Sequence, residues 1–147
     1  MIKRDALERI ATACRLGLLS LAEKNSSMFH NFPTGACGAA SEVLGRILKE
    51  KFQIEGTYIC ADSHSQLDWD ESHAWVEVDE FIIDITHDQF NGTGLSGWVF
   101  ERGTGWHAQF SEIVESRNSF CTPENWKEYP HDGYRAALEM VLSEVQN

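Results

Sequence analysis

The stretch from His73 to Thr86 reads HAWVEVDEFIIDIT, and it decides the fold class. Two runs of β-forming residues, which end at Val78 and begin again at Phe81, are separated only by two acidic residues. This pattern predicts a β-hairpin with a two-residue turn, in which Val78 lies opposite Phe81. An antiparallel sheet is therefore expected in this part of the chain.

The predicted register places one set of side chains on the same face of the hairpin: His73, Trp75, Glu77, Ile82 and Asp84. Asp84 is then diagonal to His73, with about 7–8 Å between the backbones, a gap that two side chains can close. Because a carboxylate within an apolar run is costly to bury alone, His73 is its natural partner. A three-residue loop would instead send Asp84 to the opposite face. The alternative interpretations are a half-buried histidine at a strand end for His73 and an aspartate bonded to backbone for Asp84.

A cysteine at the start of a predicted helix is the second chemical feature. Apolar residues recur at helical spacing over residues 36–51, after a break at Pro33 and Gly35 that makes Thr34 a plausible N-cap. Cys37 falls in the first turn, where free backbone N–H groups and the helix dipole lower the pKa of a thiol. The alternative is a small residue selected for close helix packing.

These segments resemble the transglutaminase-like core, a group within the wider papain-like cysteine-enzyme fold. The resemblance rests on GACGAA at residues 35–40, HAWVEV at residues 73–78 and IDIT at residues 83–86, and it covers about residues 34–90. It implies an α+β domain in which N-terminal helices pack on an antiparallel β-sheet.

The resemblance also implies roles for three residues. Cys37 would be the nucleophile, His73 the base and Asp84 the partner that orients the base. Members of the group include transglutaminases, peptidases, amidases and deamidase toxins, and they transfer an acyl group from an amide through a cysteine. Hydrolysis of a peptide or protein substrate, without a cofactor, is the favoured reaction, and transfer to an amine is the alternative.

The oxyanion hole departs from the papain pattern. Papain-type peptidases place a glutamine ahead of the nucleophile, whereas the first glutamine of this chain is Gln53. The hole would therefore need the backbone N–H of the nucleophile and a second donor. The candidates for this donor and for the substrate cleft are Asn31, Thr34, Gly38 and Trp75. Trp75 has a second interpretation as a core side chain, or as a cover over the His73–Asp84 pair.

The rest of the chain shows helix and strand patterns but no motif that indicates a function. Helices are predicted at residues 4–24 and 133–145, and a strand at residues 56–61. Residues from Asn91 onward are expected to complete the sheet and shape the cleft, within one domain spanning residues 1–147. The larger aromatic and histidine side chains of this part are interpreted as core: Trp98, Trp106, Trp126, His107 and His131.

The amino-acid composition argues against several classes of partner. The 147 residues include 12 Lys and Arg against 23 Asp and Glu, a formal charge of -11 that argues against nucleic acid as a partner. No apolar run approaches the ~20 residues of a membrane span, so no membrane association is expected. The charged N-terminal turns do not resemble a signal peptide, and the four cysteines are widely spaced. A reduced, cytoplasmic protein is the expectation.

Other residues and another function also have to be considered. An acidic loop could hold a divalent cation through Asp62, His64, Asp68, Asp70 and Glu71, but its spacing favours a solvated loop, and no metal is predicted. His87 could compete as the base, although a strand end facing solvent is expected there. Cys14 and Cys60 are interpreted as small core residues.

The rival function is a non-enzymatic, immunity-type protein that retains the fold and masks a basic partner.

Overall fold

The computed structural model describes residues 3–126 and 130–145. Three helices and five strands follow one another in the order α1 (Arg4–Leu19), α2 (Cys37–Phe52), β1 (Thr57–Asp62), β2 (Ser72–Val78), β3 (Phe81–Ile83), β4 (Val99–Glu101), β5 (Glu112–Arg117) and α3 (His131–Glu144). The strands form one sheet in the order β4-β3-β2-β1-β5, and every neighbouring pair is antiparallel. The α+β class is confirmed, and β4 and β5 complete the sheet from the C-terminal part.

The β2–β3 hairpin has the predicted register. Val78 pairs with Phe81, and Glu77 pairs with Ile82. Asp79 adopts a positive φ of 51°, a conformation that Asp tolerates better than most residues, so the tight turn forms without glycine. The second strand is shorter than predicted: β3 ends at Ile83 because the Asp84 carboxylate accepts the backbone N–H of Thr86 and turns the chain.

The helices differ from the predictions at their ends. α1 ends at Leu19 rather than near residue 24, and a series of turns leads from there to α2. α2 begins one residue later than predicted, and its N-cap is Ala36, which provides no side-chain hydrogen bond. The prediction of Thr34 as the N-cap is therefore wrong, because Gly35, at a φ of 70°, separates it from the helix start.

The two faces of the sheet are covered differently. The helices pack on one face and form an aliphatic core with residues such as Val43, Leu44 and Val76. α1 and α3 cross closely, since a Cβ placed on Gly17 would lie 2.5 Å from the carbonyl oxygen of Ala136. Loops cover the opposite face, where a second, more aromatic cluster consists of Ile59, Ala61, Trp75, Ile82, Trp106 and Phe110.

The side chains that the sequence predicts to be core differ in how deeply they are buried. Trp106 and His107 are buried, but Trp98 and Trp126 are only partly buried, and His131 is exposed, so the core interpretation is wrong for His131. Cys14 is fully buried as predicted, whereas Cys60 is only partly buried beside a register shift between β1 and β5. Among the described residues, no helix is long and apolar enough to cross a bilayer.

Candidate active site

Asp84 is the centre of a buried polar cluster. Its side chain has no exposed surface, and its Oδ1 atom accepts the backbone N–H of Thr86 at 3.0 Å. The backbone N–H of Asp84 itself donates to the carbonyl oxygen of Trp98, next to β4, at 2.9 Å. The end of β3 therefore holds this carboxylate rigidly beneath the loops.

Two histidines converge on the remaining carboxylate oxygen. Nε2 of His73 lies 2.6 Å from Oδ2 of Asp84, and Nε2 of His107 lies 2.7 Å from the same atom. Because an ionised carboxylate only accepts hydrogen bonds, both imidazoles donate through Nε2. The structure thus brings His73 and Asp84 together, as the hairpin register predicts, and adds His107, for which the sequence predicts only a place in the core.

The same three side chains form the only group in residues 3–126 and 130–145 that is close enough to hold a metal ion. Ligand atoms bound to a tetrahedral zinc ion at 2.0–2.1 Å would lie about 3.3 Å apart. The separations of 2.6 and 2.7 Å are shorter and match charge-assisted hydrogen bonds. The arrangement therefore fits a hydrogen-bonded carboxylate better than a metal centre.

The cluster favours an ionised Asp84 and a basic His73. Burial alone would raise the pKa of Asp84, but the attraction of His73 and the hydrogen bonds from both histidines hold that pKa well below its usual range. Burial alone would lower the pKa of His73, but the charge and hydrogen bond of Asp84 raise it to about 9. A pKa of about 9 keeps the His73 ring protonated near neutral pH, and this favours a pair of Cys37 thiolate and His73 imidazolium.

Cys37 interacts with His73, and each affects the pKa of the other. With Nε2 bound to Asp84, Nδ1 is the free nitrogen, and it makes no hydrogen bond to a described residue. Burial alone would raise the pKa of the Cys37 thiol, but His73 and the backbone N–H of Ala74 outweigh it and lower that pKa. The thiol is therefore close to His73 without the direct hydrogen bond to Nδ1, a looser contact that is common in sites without substrate.

Aromatic rings enclose His73 on the loop-covered face. Its ring centroid is 5.0 Å from that of Phe90, 5.8 Å from Trp106 and 5.9 Å from Trp75. His73 is completely buried as a result, and Trp75 is only 2% exposed. Water is thereby kept from the His73–Asp84 pair, which strengthens their electrostatic interaction.

The candidates for the oxyanion hole and the cleft have different positions. Trp75 lies on the loop-covered face, and its indole N–H donates to Glu77 at 3.1 Å, so it is not available as an oxyanion donor. Asn31 and Thr34 are exposed, and Asn31 has a positive φ of 68°. Gly38 lies directly after the nucleophile candidate and lines a cavity.

This cavity adjoins the start of α2. It has a volume of about 480 Å³, and its walls include Gly35 and Gly38, which flank Cys37, together with Tyr58, Glu42 and Trp126. The start of α2 on either side of Cys37 therefore borders a space large enough for part of a substrate.

The competing residues have structural roles. His87 is buried rather than solvent-facing, and its Nε2 atom lies 2.8 Å from the carbonyl oxygen of Gly97. His64 points inward to the carbonyl oxygen of Trp106, while Asp68 and Asp70 remain exposed. The acidic loop is thus a solvated loop anchored by a structural histidine.

His107 had no recognisable signal in the sequence. It lies 23 residues from Asp84, in a short 3₁₀ turn (His107–Gln109) with no motif around it. In comparisons with known proteins, no family model matches the chain, and no curated protein or solved structure matches it either.

Proposed function

We propose that this protein is a cysteine-nucleophile acyl-transfer enzyme that cleaves an amide bond and passes the acyl group to water. One observation carries the proposal: a buried Asp84–His73 pair presents its free ring nitrogen toward a thiol of lowered pKa at a helix start. The resemblance to the papain-like, transglutaminase-like core supports the same roles for these residues. The favoured substrate class is a peptide or protein.

The proposed reaction has two stages. In the first, the Cys37 proton moves to Nδ1 of His73, and the thiolate attacks the carbonyl carbon of the amide. The tetrahedral intermediate then collapses, the C–N bond breaks, and His73 returns its proton to the leaving amine. An acyl-enzyme, with the acyl group on the sulfur of Cys37, remains.

The second stage releases the acyl group. His73 takes a proton from water, the resulting hydroxide attacks the thioester, and the thiolate leaves and recovers its proton from His73. Asp84 stays ionised throughout, because its role is to keep the proton on Nε2 and to stabilise the imidazolium. An amine in place of water would make the same machinery a transglutaminase.

The first test is the selectivity of alkylation. Brief treatment with iodoacetamide at pH 7, followed by intact-mass measurement and peptide mapping, should label Cys37 at least about tenfold faster than the other three cysteines. Cys60→Ala and Cys121→Ala serve as matched controls and should leave the fast phase intact, whereas Cys37→Ala should remove it. Slow uniform labelling, or faster labelling of another cysteine, would contradict the nucleophile assignment.

The second test identifies the acyl acceptor. p-Nitrophenyl acetate should place one acetyl group on Cys37, and the decay of this adduct, with and without methylamine, reports transfer to water or to an amine. Decay that methylamine leaves unchanged supports hydrolysis. Stoichiometric co-purification with a basic protein, together with full biological activity of Cys37→Ala, would instead favour the non-enzymatic binder.

A further inference from the structure

The proposed function requires a hydrogen-bond donor that the cysteine, the histidines and Asp84 do not supply. When a thiolate attacks an amide, the carbonyl oxygen becomes an oxyanion, which needs donors at about 2.7–3.1 Å. The backbone N–H of Cys37 is one donor, because α2 begins there and no side chain caps it. A second donor must lie beside the first turn of α2, where the cavity adjoins the helix start.

Tyr58 occupies this position. It lies on β1 opposite Val76 of β2, and its ring contributes to the helix-covered face. A Cβ placed on Gly38 would lie 3.4 Å from the Tyr58 hydroxyl, so this oxygen is adjacent to the residue that follows Cys37. Tyr58 also lines the cavity at the helix start, although it is only 7% exposed.

The ring of Tyr58 is fixed by neighbouring side chains, but its hydroxyl has no hydrogen-bond partner among the described residues. It makes no hydrogen bond to any described residue, which is unusual for a phenol that is nearly buried. The guanidinium of Arg117 lies 4.1 Å from the ring centroid, and Arg117 is itself fixed by an ion pair with Glu42. A rigid ring thus holds a free O–H group at the edge of the cavity.

Tyr58 also remains protonated. Burial is the main cause that raises the pKa of its phenol, and the nearby acidic groups Cys60, Glu42 and Cys37 raise it further. The phenol therefore keeps its proton at every pH at which the thiolate forms, as a hydrogen-bond donor must.

We propose that the hydroxyl of Tyr58 is the second donor of the oxyanion hole. It donates a hydrogen bond to the carbonyl oxygen as negative charge develops there, and it keeps its own proton throughout. This inference rests on the proposed function, and it gives Tyr58 a catalytic role that Asn31, Thr34 and Trp75 were considered for. Gly38, with no side chain, leaves the path between the hydroxyl and the carbonyl oxygen open.

The test compares two reactions of the same thiol. Acylation of Cys37 by p-nitrophenyl acetate passes through an oxyanion, whereas alkylation by iodoacetamide displaces iodide and forms none. Tyr58→Phe should slow the single-turnover acylation about 100-fold, the usual effect of losing one oxyanion donor. It should change the alkylation rate less than about threefold, because the nucleophile and the base are untouched. Tyr134→Phe is the matched control, since this hydroxyl bonds to Glu50 at the surface and should affect neither reaction.

The possible outcomes distinguish the oxyanion role of Tyr58 from the proposed function itself. If the wild-type thiol is acylated and Tyr58→Phe is acylated equally fast, the oxyanion role is wrong and the proposed function stands. A parallel loss of acylation and alkylation, with a folded variant by circular dichroism, would show that Tyr58 tunes the thiol instead. Failure of the wild-type protein to acylate at Cys37 would overturn the proposed function and this inference with it.

Discussion

Two thiols border the same part of the fold, and their surroundings lead to opposite chemistry. Cys37 faces His73, and the Asp84 carboxylate lies behind that ring. Cys121 faces a carboxylate directly, since its Sγ atom lies 3.1 Å from Oε2 of Glu42. Both carboxylates are buried and both are paired with a cationic or basic group.

The order of the three groups explains the difference. Interactions with His73 lower the pKa of Cys37 despite its burial, whereas burial and the adjacent Glu42 raise the pKa of Cys121 to about 11. In the second cluster Arg117 cannot take up a proton, so it can neutralise Glu42 but cannot serve as a base. A thiol, a carboxylate and a base make a nucleophile only when the base lies between the other two.

The largest expected effect comes from removing the charge of Asp84. An Asp84→Asn variant should lose about 10³–10⁴-fold in acyl transfer, because an amide favours the wrong tautomer of His73 and places Nδ1–H toward the thiol. Acylation of Cys37 by p-nitrophenyl acetate measures this loss. Asp88→Asn is the matched control, because Asp88 pairs with Arg15 at the surface and should leave the rate unchanged. A rate within tenfold of wild type would contradict the role of Asp84.

The same substitution should flatten the dependence of stability on pH. The lowered pKa of Asp84 means that its ionised form stabilises the fold above about pH 4, and this stability is lost as the pH falls further. The raised pKa of His73 means that the protonated ring stabilises the fold fully below about pH 6.5, and this contribution is lost as the pH rises through about 9. Urea unfolding from pH 3 to 10 should show both trends in the wild type and neither in Asp84→Asn.

A smaller effect should follow from neutralising Glu42. In Glu42→Gln the pKa of Cys121 should fall toward its usual value, and its alkylation at pH 8 should become about tenfold faster for each unit of pKa. The pH midpoint of Cys37 alkylation should lie below that of an ordinary thiol in both proteins, while alkylation of wild-type Cys121 should still rise above pH 9.

This variant should also lose about 1–2 kcal/mol in the free energy of unfolding. The loss is modest because Arg117 is partly exposed and Gln keeps an acceptor. Equal alkylation of Cys121 in the two proteins would show that burial alone, and not Glu42, protects this thiol. The difference in reactivity between Cys37 and Cys121 would then result from their burial, and not from the order of thiol, base and carboxylate.

The smallest effect is expected at Trp75. Trp75→Phe should cost about 1–2 kcal/mol through lost packing and the lost hydrogen bond to Glu77. Because a smaller ring admits water to the His73–Asp84 pair, the pH midpoint of Cys37 alkylation should rise by less than about one unit. Phe100→Leu, which alters the neighbouring aromatic cluster, is the control for packing alone. An unchanged midpoint in a folded Trp75→Phe protein would show that Trp75 only fills the core.

Local sequence patterns are sufficient to predict the β2–β3 hairpin and the start of α2. Alternation with period two and a two-residue turn leave one register that buries Ile82 and Trp75 together, and this register also brings Asp84 to the side of His73. The break at Pro33 and Gly35 likewise placed Cys37 at a helix start. These features depend on neighbours within about a dozen residues, so local pattern is enough to predict them.

The surroundings of these two elements depend on contacts between residues that are distant in the chain. His107 reaches Asp84 across 23 residues, Arg117 reaches Glu42 across 75, and Tyr58 meets the start of α2 only because β1 lies beside β2. No periodicity in the chain marks such contacts, since they depend on how the loops cover one face of the sheet and the helices the other. A buried carboxylate is unstable unless other groups donate hydrogen bonds to it or carry the opposite charge. The sequence therefore shows that Asp84 needs a partner, and only packing shows that it has two.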